Sequence, residues 1–214
     1  MTDDGQQVIL GAGPLGVALQ ARLRADGVDA DLWSVMGDPR YDMPGTEPQV
    51  VDGADPAALA GVCAEASVVY LLVNAHYVDW YPLFPARLVA AIGAASAVGA
   101  RLVYHDSIYL YGESEGPLSE AAPHSASTRK GRLRAEMTAT FMTALDEGRI
   151  EGAIGRTADM YGPGALNSSF GSTFGQRQFY PLMEGRTVNV IGDADAPHAY
   201  AYLDDVARGL AVLG

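Results

Sequence analysis

Cysteine, lysine and positive charge are what this chain has least of. Cys63 is its only cysteine, which excludes an internal disulfide and a cysteine cluster for zinc, and a reduced, cytoplasmic setting is expected. Lys and Arg number 14 against 26 Asp and Glu, a formal net charge of −12. So acidic a surface excludes a phosphate-backbone partner and an anionic membrane surface, leaving a small molecule as the expected partner. Residues 1–5 lack the basic region and apolar core of a signal segment. No long uncharged apolar run is present: Leu83 to Val98 holds Arg87 and reads as a buried helix rather than a membrane span. Against these absences, 49% of residues are hydrophobic and 214 residues suit one large α/β domain, or one domain with part of another.

The most informative stretch is Gly11-Ala12-Gly13-Pro14-Leu15-Gly16, directly behind Val8-Ile9-Leu10 and ahead of Leu15, Ala18, Leu19 and Leu23 at helical spacing. In a strand–turn–helix unit, the first glycine permits the sharp turn. The second lets the backbone approach a diphosphate, and the third lets helix and strand pack closely. Free amides and the helix dipole then favour an anion. The competing reading is a strand–helix turn that binds nothing.

Further strands are expected over Asp29 to Val35, Gln49 to Asp52, Ser67 to Asn74 and Arg101 to His105, and helices over Ala57 to Ala66 and Ser127 to Glu147. Val68-Val69-Tyr70-Leu71-Leu72-Val73 is apolar on both faces, as in a sheet covered on each side. This alternation implies an α/β fold, a doubly wound parallel sheet of Rossmann type. A dinucleotide-binding domain is expected over 1–160. Residues 161–214 are expected to be a partial substrate lobe with the returning strand and helix of the same domain. Ligands of such sheets sit beyond the strand carboxyl ends, which directs attention to Gly11 to Gly16, Ser34 to Gly37, Asp52-Gly53, Val73-Asn74-Ala75 and His105-Asp106-Ser107.

Several motifs then recur in a fixed order. They are the glycine turn, Asp52, Asn74-Ala75, Tyr104-His105-Asp106-Ser107-Ile108-Tyr109-Leu110-Tyr111-Gly112, Gly155-Arg156-Thr157-Ala158-Asp159-Met160-Tyr161-Gly162-Pro163-Gly164, and Tyr200-Ala201-Tyr202-Leu203-Asp204-Asp205-Val206-Ala207. Together they resemble the extended short-chain dehydrogenases/reductases, the NAD-dependent epimerase/dehydratase family. The resemblance implies an oxidoreductase or epimerase-like enzyme acting on a small hydroxyl- or carbonyl-bearing substrate. It puts Ser107 at the active-site Ser/Thr position, where a hydroxyl hydrogen-bonds the reacting substrate oxygen. It gives Gly11, Gly13, Pro14, Leu15, Gly16, Ser34, Asp52, Val73 and Asn74 to the cofactor. Ser107 also reads as a strand-end serine satisfying a backbone group. Tyr77 and Trp80 read either as a substrate wall or as packing.

One departure is chemically serious. Family members that transfer hydride use Tyr-x-x-x-Lys, the phenol as general acid/base and the lysine to lower its pKa and hold the nicotinamide ribose. Here Thr128 and Arg132 occupy those positions, and no tyrosine lies between Tyr111 and Tyr161. An alkanol cannot replace a phenol of pKa near 10 as a proton donor. Arg132 retains charge and ribose hydrogen bonds but is a poor proton relay. Tyr109, Tyr111, His105 and His198 are the alternative donors, and Lys130, the only lysine, reads as a solvated helix residue. A catalytically inactive NAD(P)-binding sensor or regulatory module remains the competing class.

Cofactor choice stays open between NAD and NADP. Asp31 has the spacing of a ribose-binding acid but lies inside a strand. Val35 stands where relatives often carry arginine, while Arg40 and Asp38 favour opposite choices. Extended relatives continue for about 100 residues beyond the Asp-Asp-Val-Ala helix, a second lobe's length. The expectation is therefore a fragment or a minimal version with a truncated substrate lobe, for which Phe170 to Met183 is the remaining candidate. Apolar surface so exposed suggests a homodimer.

Overall fold

The computed structural model describes residues 5–37, 42, 43, 45–72, 75, 78–114, 116–165, 178–188, 190 and 193–214. Asp38, Arg40, Val73, Asn74, Tyr77 and most of the stretch from Phe170 to Met183 lie outside them.

The alternating apolar pattern folds as a layered α/β structure. Six strands form one sheet: β1 Gln7–Leu10, β2 Ala30–Ser34, β3 Gln49–Val50, β4 Val68–Leu71, β5 Arg101–Ser107 and β6 Gly152–Thr157. Their order is β3-β2-β1-β4-β5-β6, and every pairing is parallel. The order reverses between β1 and β4, the switch point where such sheets bind ligands. Strand periodicity divides the core. Val8, Leu10, Val69, Leu71, Leu102 and Tyr104 face α2 (Pro56–Val62), α3 (Trp80–Val98) and α4 (Arg129–Asp146). Ile9, Val68, Tyr70 and Val103 face α1 (Pro14–Ala25) and α6 (Leu203–Leu213). β7 (Asp159–Tyr161) and β8 (Tyr200–Tyr202) form a separate parallel pair, and α5 is Tyr180–Met183.

Local chemistry moves several expected boundaries. β4 ends at Leu71 and β3 at Val50, shorter than their apolar runs. β3 is an edge strand paired only with β2, so little ladder is available to extend it. β5 instead runs on to Ser107, because β6 continues alongside it and pairs Thr157 with Ser107. α2 starts as its Asp55-Pro56 pair implies, Asp55 capping by accepting from the Ala57 and Ala58 amides at 2.9 and 3.2 Å with Pro56 at the first helical position, but it ends at Val62, short of Ala66. The apolar helix expected from Leu83 begins at Trp80. It is long and apolar enough to cross a membrane by composition alone, yet nine of its side chains, from Trp80 to Ala95, are buried within the fold.

Candidate active site

The glycine turn is built as its residues require. Gly11 has φ +137°, and a Cβ there would lie 2.6 Å from the Leu72 carbonyl oxygen. A Cβ on Gly16 would lie 1.9 Å from the Gly11 carbonyl oxygen, so only glycine lets α1 sit this close to the β1 exit. Gly13 is the N-cap of α1 and provides no side-chain cap, with Pro14 next. The first-turn amides of Leu15 and Gly16 therefore depend on another acceptor. Beside the turn, the Met43 amide donates to the Ala12 carbonyl at 2.7 Å.

Ser34 ends β2 almost fully buried, and its Oγ has no hydrogen-bond partner among the described residues. A buried hydroxyl without an acceptor costs free energy, so this one fits a ribose or phosphate oxygen. Asp52 is exposed just after β3, with Oδ1 accepting from the Ala54 amide at 2.9 Å. Together with Val35, Met36, Gly37, Val50, Val51 and Arg87 it lines a cavity of about 250 Å³. Asp31 is engaged elsewhere, receiving the Gln6 amide at 2.5 Å. The glycine cradle, the uncapped α1 and the orphaned Ser34 hydroxyl fit a dinucleotide.

Ser107 occupies the last position of β5, and its Oγ is shielded from solvent with no partner among the described residues. The 3-10 turn Ile108–Tyr111 follows directly. Its two tyrosines differ. Tyr111 is buried, and its hydroxyl accepts from Arg156 Nη1 at 3.3 Å. Tyr109 is half-buried and stacks on Trp80 with ring centroids 5.9 Å apart.

The two residues at the Tyr and Lys positions have local roles. Thr128 is the N-cap of α4, its Oγ1 accepting from the Gly131 amide at 3.1 Å. Arg132 is exposed and donates through Nη1 to the Ser127 carbonyl. Lys130 departs from the solvated position expected of it: it is half-buried, with Nζ 5.3 Å from the Trp80 ring centroid. Desolvation pushes its ammonium pKa down.

The two histidine candidates sit in different surroundings. His105 Nε2 is 2.9 Å from Thr157 Oγ1. Dense packing, and then the Arg134 charge, push the imidazole down to about 3, so it is neutral near pH 7. His198 is exposed and 3.9 Å from Asp159.

Beneath Ser107 lies a charged cluster that the sequence reading missed. Asp106 has no exposed side-chain surface. Arg134 Nη1 and the Tyr104 hydroxyl reach its Oδ1 at 3.2 and 3.3 Å, and the Thr138 hydroxyl reaches Oδ2 at 3.2 Å. Arg156 Nε lies 3.5 Å from Oδ2. Burial first, and then the Asp106 charge, push the Tyr104 phenol above the usual tyrosine range. Arg134 also lies over Trp80 and Phe84, 4.4 and 4.6 Å from their ring centroids. The available signal was a pair of opposite charges, Asp106 and Arg134, each set among apolar residues of a buried strand or helix face.

No curated protein matches this chain. Among solved structures, UDP-glucose 4-epimerase from Thermotoga maritima with UDP-glucose superimposes with a TM-score of 0.80 at 16% identity, covering 97% of this chain and 72% of that one. UDP-N-acetylglucosamine 4-epimerase from Methanobrevibacter ruminantium, in complex with UDP-N-acetylmuramic acid, gives 0.79 at 16% identity over 98% and 73%. The Thermus thermophilus UDP-glucose 4-epimerase complex with NAD gives 0.75 at 17% over 97% and 73%. At these identities the likeness shows a common fold. The family model for the NAD dependent epimerase/dehydratase family matches residues 8–213, and the chain, with its parallel sheet and glycine turn, belongs to that family.

Proposed function

We propose that this protein oxidises, reduces or epimerises a small hydroxyl- or carbonyl-bearing substrate with a nicotinamide dinucleotide, using a proton donor other than Tyr-x-x-x-Lys. Nucleotide sugars are the leading substrate class, because the structures it resembles were solved with UDP-glucose and UDP-N-acetylmuramic acid. The observation that carries this reading is Ser107 Oγ, shielded from water and without a partner among the described residues at the carboxyl end of β5. A polar atom left in that state is poised to bond an incoming oxygen. The dinucleotide supplies the hydride acceptor or donor when bound. Gly11, Gly13, Leu15 and Gly16 hold its diphosphate on the end of α1, with Pro14 fixing the first helical turn. Ser34 and Asp52 hold the adenosine half, and Val73 and Asn74, which follow β4 in sequence, belong to the same cofactor site. Residues 1–160 carry this binding work in a cytoplasmic protein, residues 161–214 contribute to the substrate side, and two copies form a homodimer.

Calorimetry with NADH and NADPH tests the binding half and separates the two cofactors. Turnover is then followed by nicotinamide absorbance for net redox and by chromatography for epimerisation. Ser107→Ala is expected to keep dinucleotide affinity and to lose about 10²-fold in turnover, the usual scale for removing one polarising donor. Failure to bind either dinucleotide overturns the reading, as does a Ser107→Ala variant as active as the parent.

The sensor reading has one observation in its favour: the Thr128 hydroxyl caps α4, and Arg132 turns back to the Ser127 carbonyl. It expects tight dinucleotide binding with no turnover of any hydroxyl or carbonyl compound tried.

A further inference from the structure

We propose that this chain selects NADPH over NADH, with Ser34 standing where an NAD-selecting acid would stand and Arg87 supplying positive charge for the 2′-phosphate of the adenosine ribose. This rests on the dinucleotide reading above and names the cofactor which that reading leaves open.

The tip of β2 carries the choice. A site that selects NAD presents a carboxylate there, about 20 residues beyond the glycine turn, where it bonds the ribose hydroxyls. The same carboxylate repels a 2′-phosphate. Here the last strand residue is Ser34, and Val35, Met36 and Gly37 follow it. None of these four bears a charge. Asp31 lies three residues back, inside the strand, with Oδ2 receiving the Gln6 side-chain amide at 2.5 Å. A serine hydroxyl donates as well as accepts, so it bonds a phosphate oxygen as readily as a ribose hydroxyl. Ser34 is 1% exposed, and its Oγ has no partner among the described residues.

Arg87 brings a cation to the same place. Val35, Met36 and Gly37, directly beyond Ser34, line the cavity of about 250 Å³ together with the β3 exit and Arg87. Arg87 is the only charged residue of α3 and is 7% exposed. Its Nε donates to the Val35 carbonyl at 3.0 Å and its Nη1 to the Leu83 carbonyl at 3.2 Å, which fixes the guanidinium against the residue next to Ser34. Gly53 makes room for this arrangement: a Cβ there would lie 2.5 Å from the Val35 carbonyl oxygen and 3.3 Å from Arg87 Nε. A guanidinium keeps its charge at any working pH, and a buried charge is screened far less than an exposed one. Its field therefore favours the cofactor that brings an extra phosphate. Asp52, the carboxylate that lines this cavity, belongs to the β3 exit, is exposed to water, and accepts from the Ala54 amide through Oδ1. The family is named for NAD, and the departure lies in Ser34 and Arg87.

Calorimetry of the full chain with NADPH and NADH reads the preference directly. Adenosine 2′,5′-bisphosphate against AMP isolates the 2′-phosphate from the nicotinamide half. The expected result is a Kd at least about tenfold lower for NADPH than for NADH, and for the bisphosphate than for AMP, the scale of one hydrogen bond to a charged group. Ser34→Asp restores a carboxylate to the β2 tip and is expected to reverse the order. Arg87→Met is expected to weaken NADPH by about tenfold and NADH by less than about twofold. Arg87→Gln, which keeps a donor for the carbonyls, covers the case in which Arg87→Met does not fold. Equal or tighter binding of NADH by the parent overturns the proposal, as does a preference that the Arg87 variants leave unchanged. A parent that prefers NADH removes only this proposal, whereas binding of neither dinucleotide removes the function above with it.

Discussion

At the scale of single residues, position in the fold decides what a functional group can do. Thr128 bears a hydroxyl where relatives bear a phenol, and its acceptor lone pair is engaged by the Gly131 amide. Thr128→Ala is expected to cost about 1 kcal/mol through loss of the cap, read as a lower urea midpoint at unchanged slope. His105 shows the same principle in titration. Its folded value of about 3 lies below the ordinary 6.5, so between those values the unfolded chain binds the proton first. The stability it contributes is full above pH 6.5 and is lost as pH falls through that window. Thermal unfolding at pH 7, 5.5 and 4.5 is expected to show a falling Tm in the parent and a shallower fall in His105→Gln. Parallel slopes in the two proteins refute this account.

At the scale of elements, the end of β5 is held to α4 and β6 by charge rather than by apolar packing alone. Asp106→Asn leaves Arg134 and Arg156 buried without their anion and is expected to cost roughly 3–5 kcal/mol. Adding Arg134→Met removes one of those cations and is expected to recover part of that loss in urea unfolding. These elements also show what the sequence could reveal. The glycine turn, the apolar strands and the long α3 announce themselves through local periodicity and backbone demands, and the observed sheet follows that pattern. The Asp106 cluster joins residues from β5, α4 and β6, pairings that no local window contains. Lys130 reads as solvated because the indole that covers it comes from the start of a different helix. For Thr128 a local signal exists, a threonine directly before a helical run, but the same position matches the family's tyrosine, which masks the cap.

For the molecule as a whole, Cys63 offers a single internal reporter. It caps the C-terminus of α2, fully buried in the core shared with α3, and burial raises its thiol to about 11. At pH 8 a disulfide reagent is expected to leave the native protein unlabelled and to label it in step with cooperative unfolding as urea is added. Fast labelling in native buffer would show that this half of the core opens locally. A larger consequence comes from the small second sheet. β7 and β8 run parallel with Tyr161 opposite Tyr202, so the chain that departs after β7 comes back beside it before entering α6. An excursion whose two ends are stitched together in this way can grow or shrink with little effect on what it is attached to, since each doubling of such a loop costs only about 0.6 kcal/mol in closure entropy. The β7–β8 seam is therefore where the intervening chain can be rewritten in length and composition while the six-stranded sheet and its helices stay as they are.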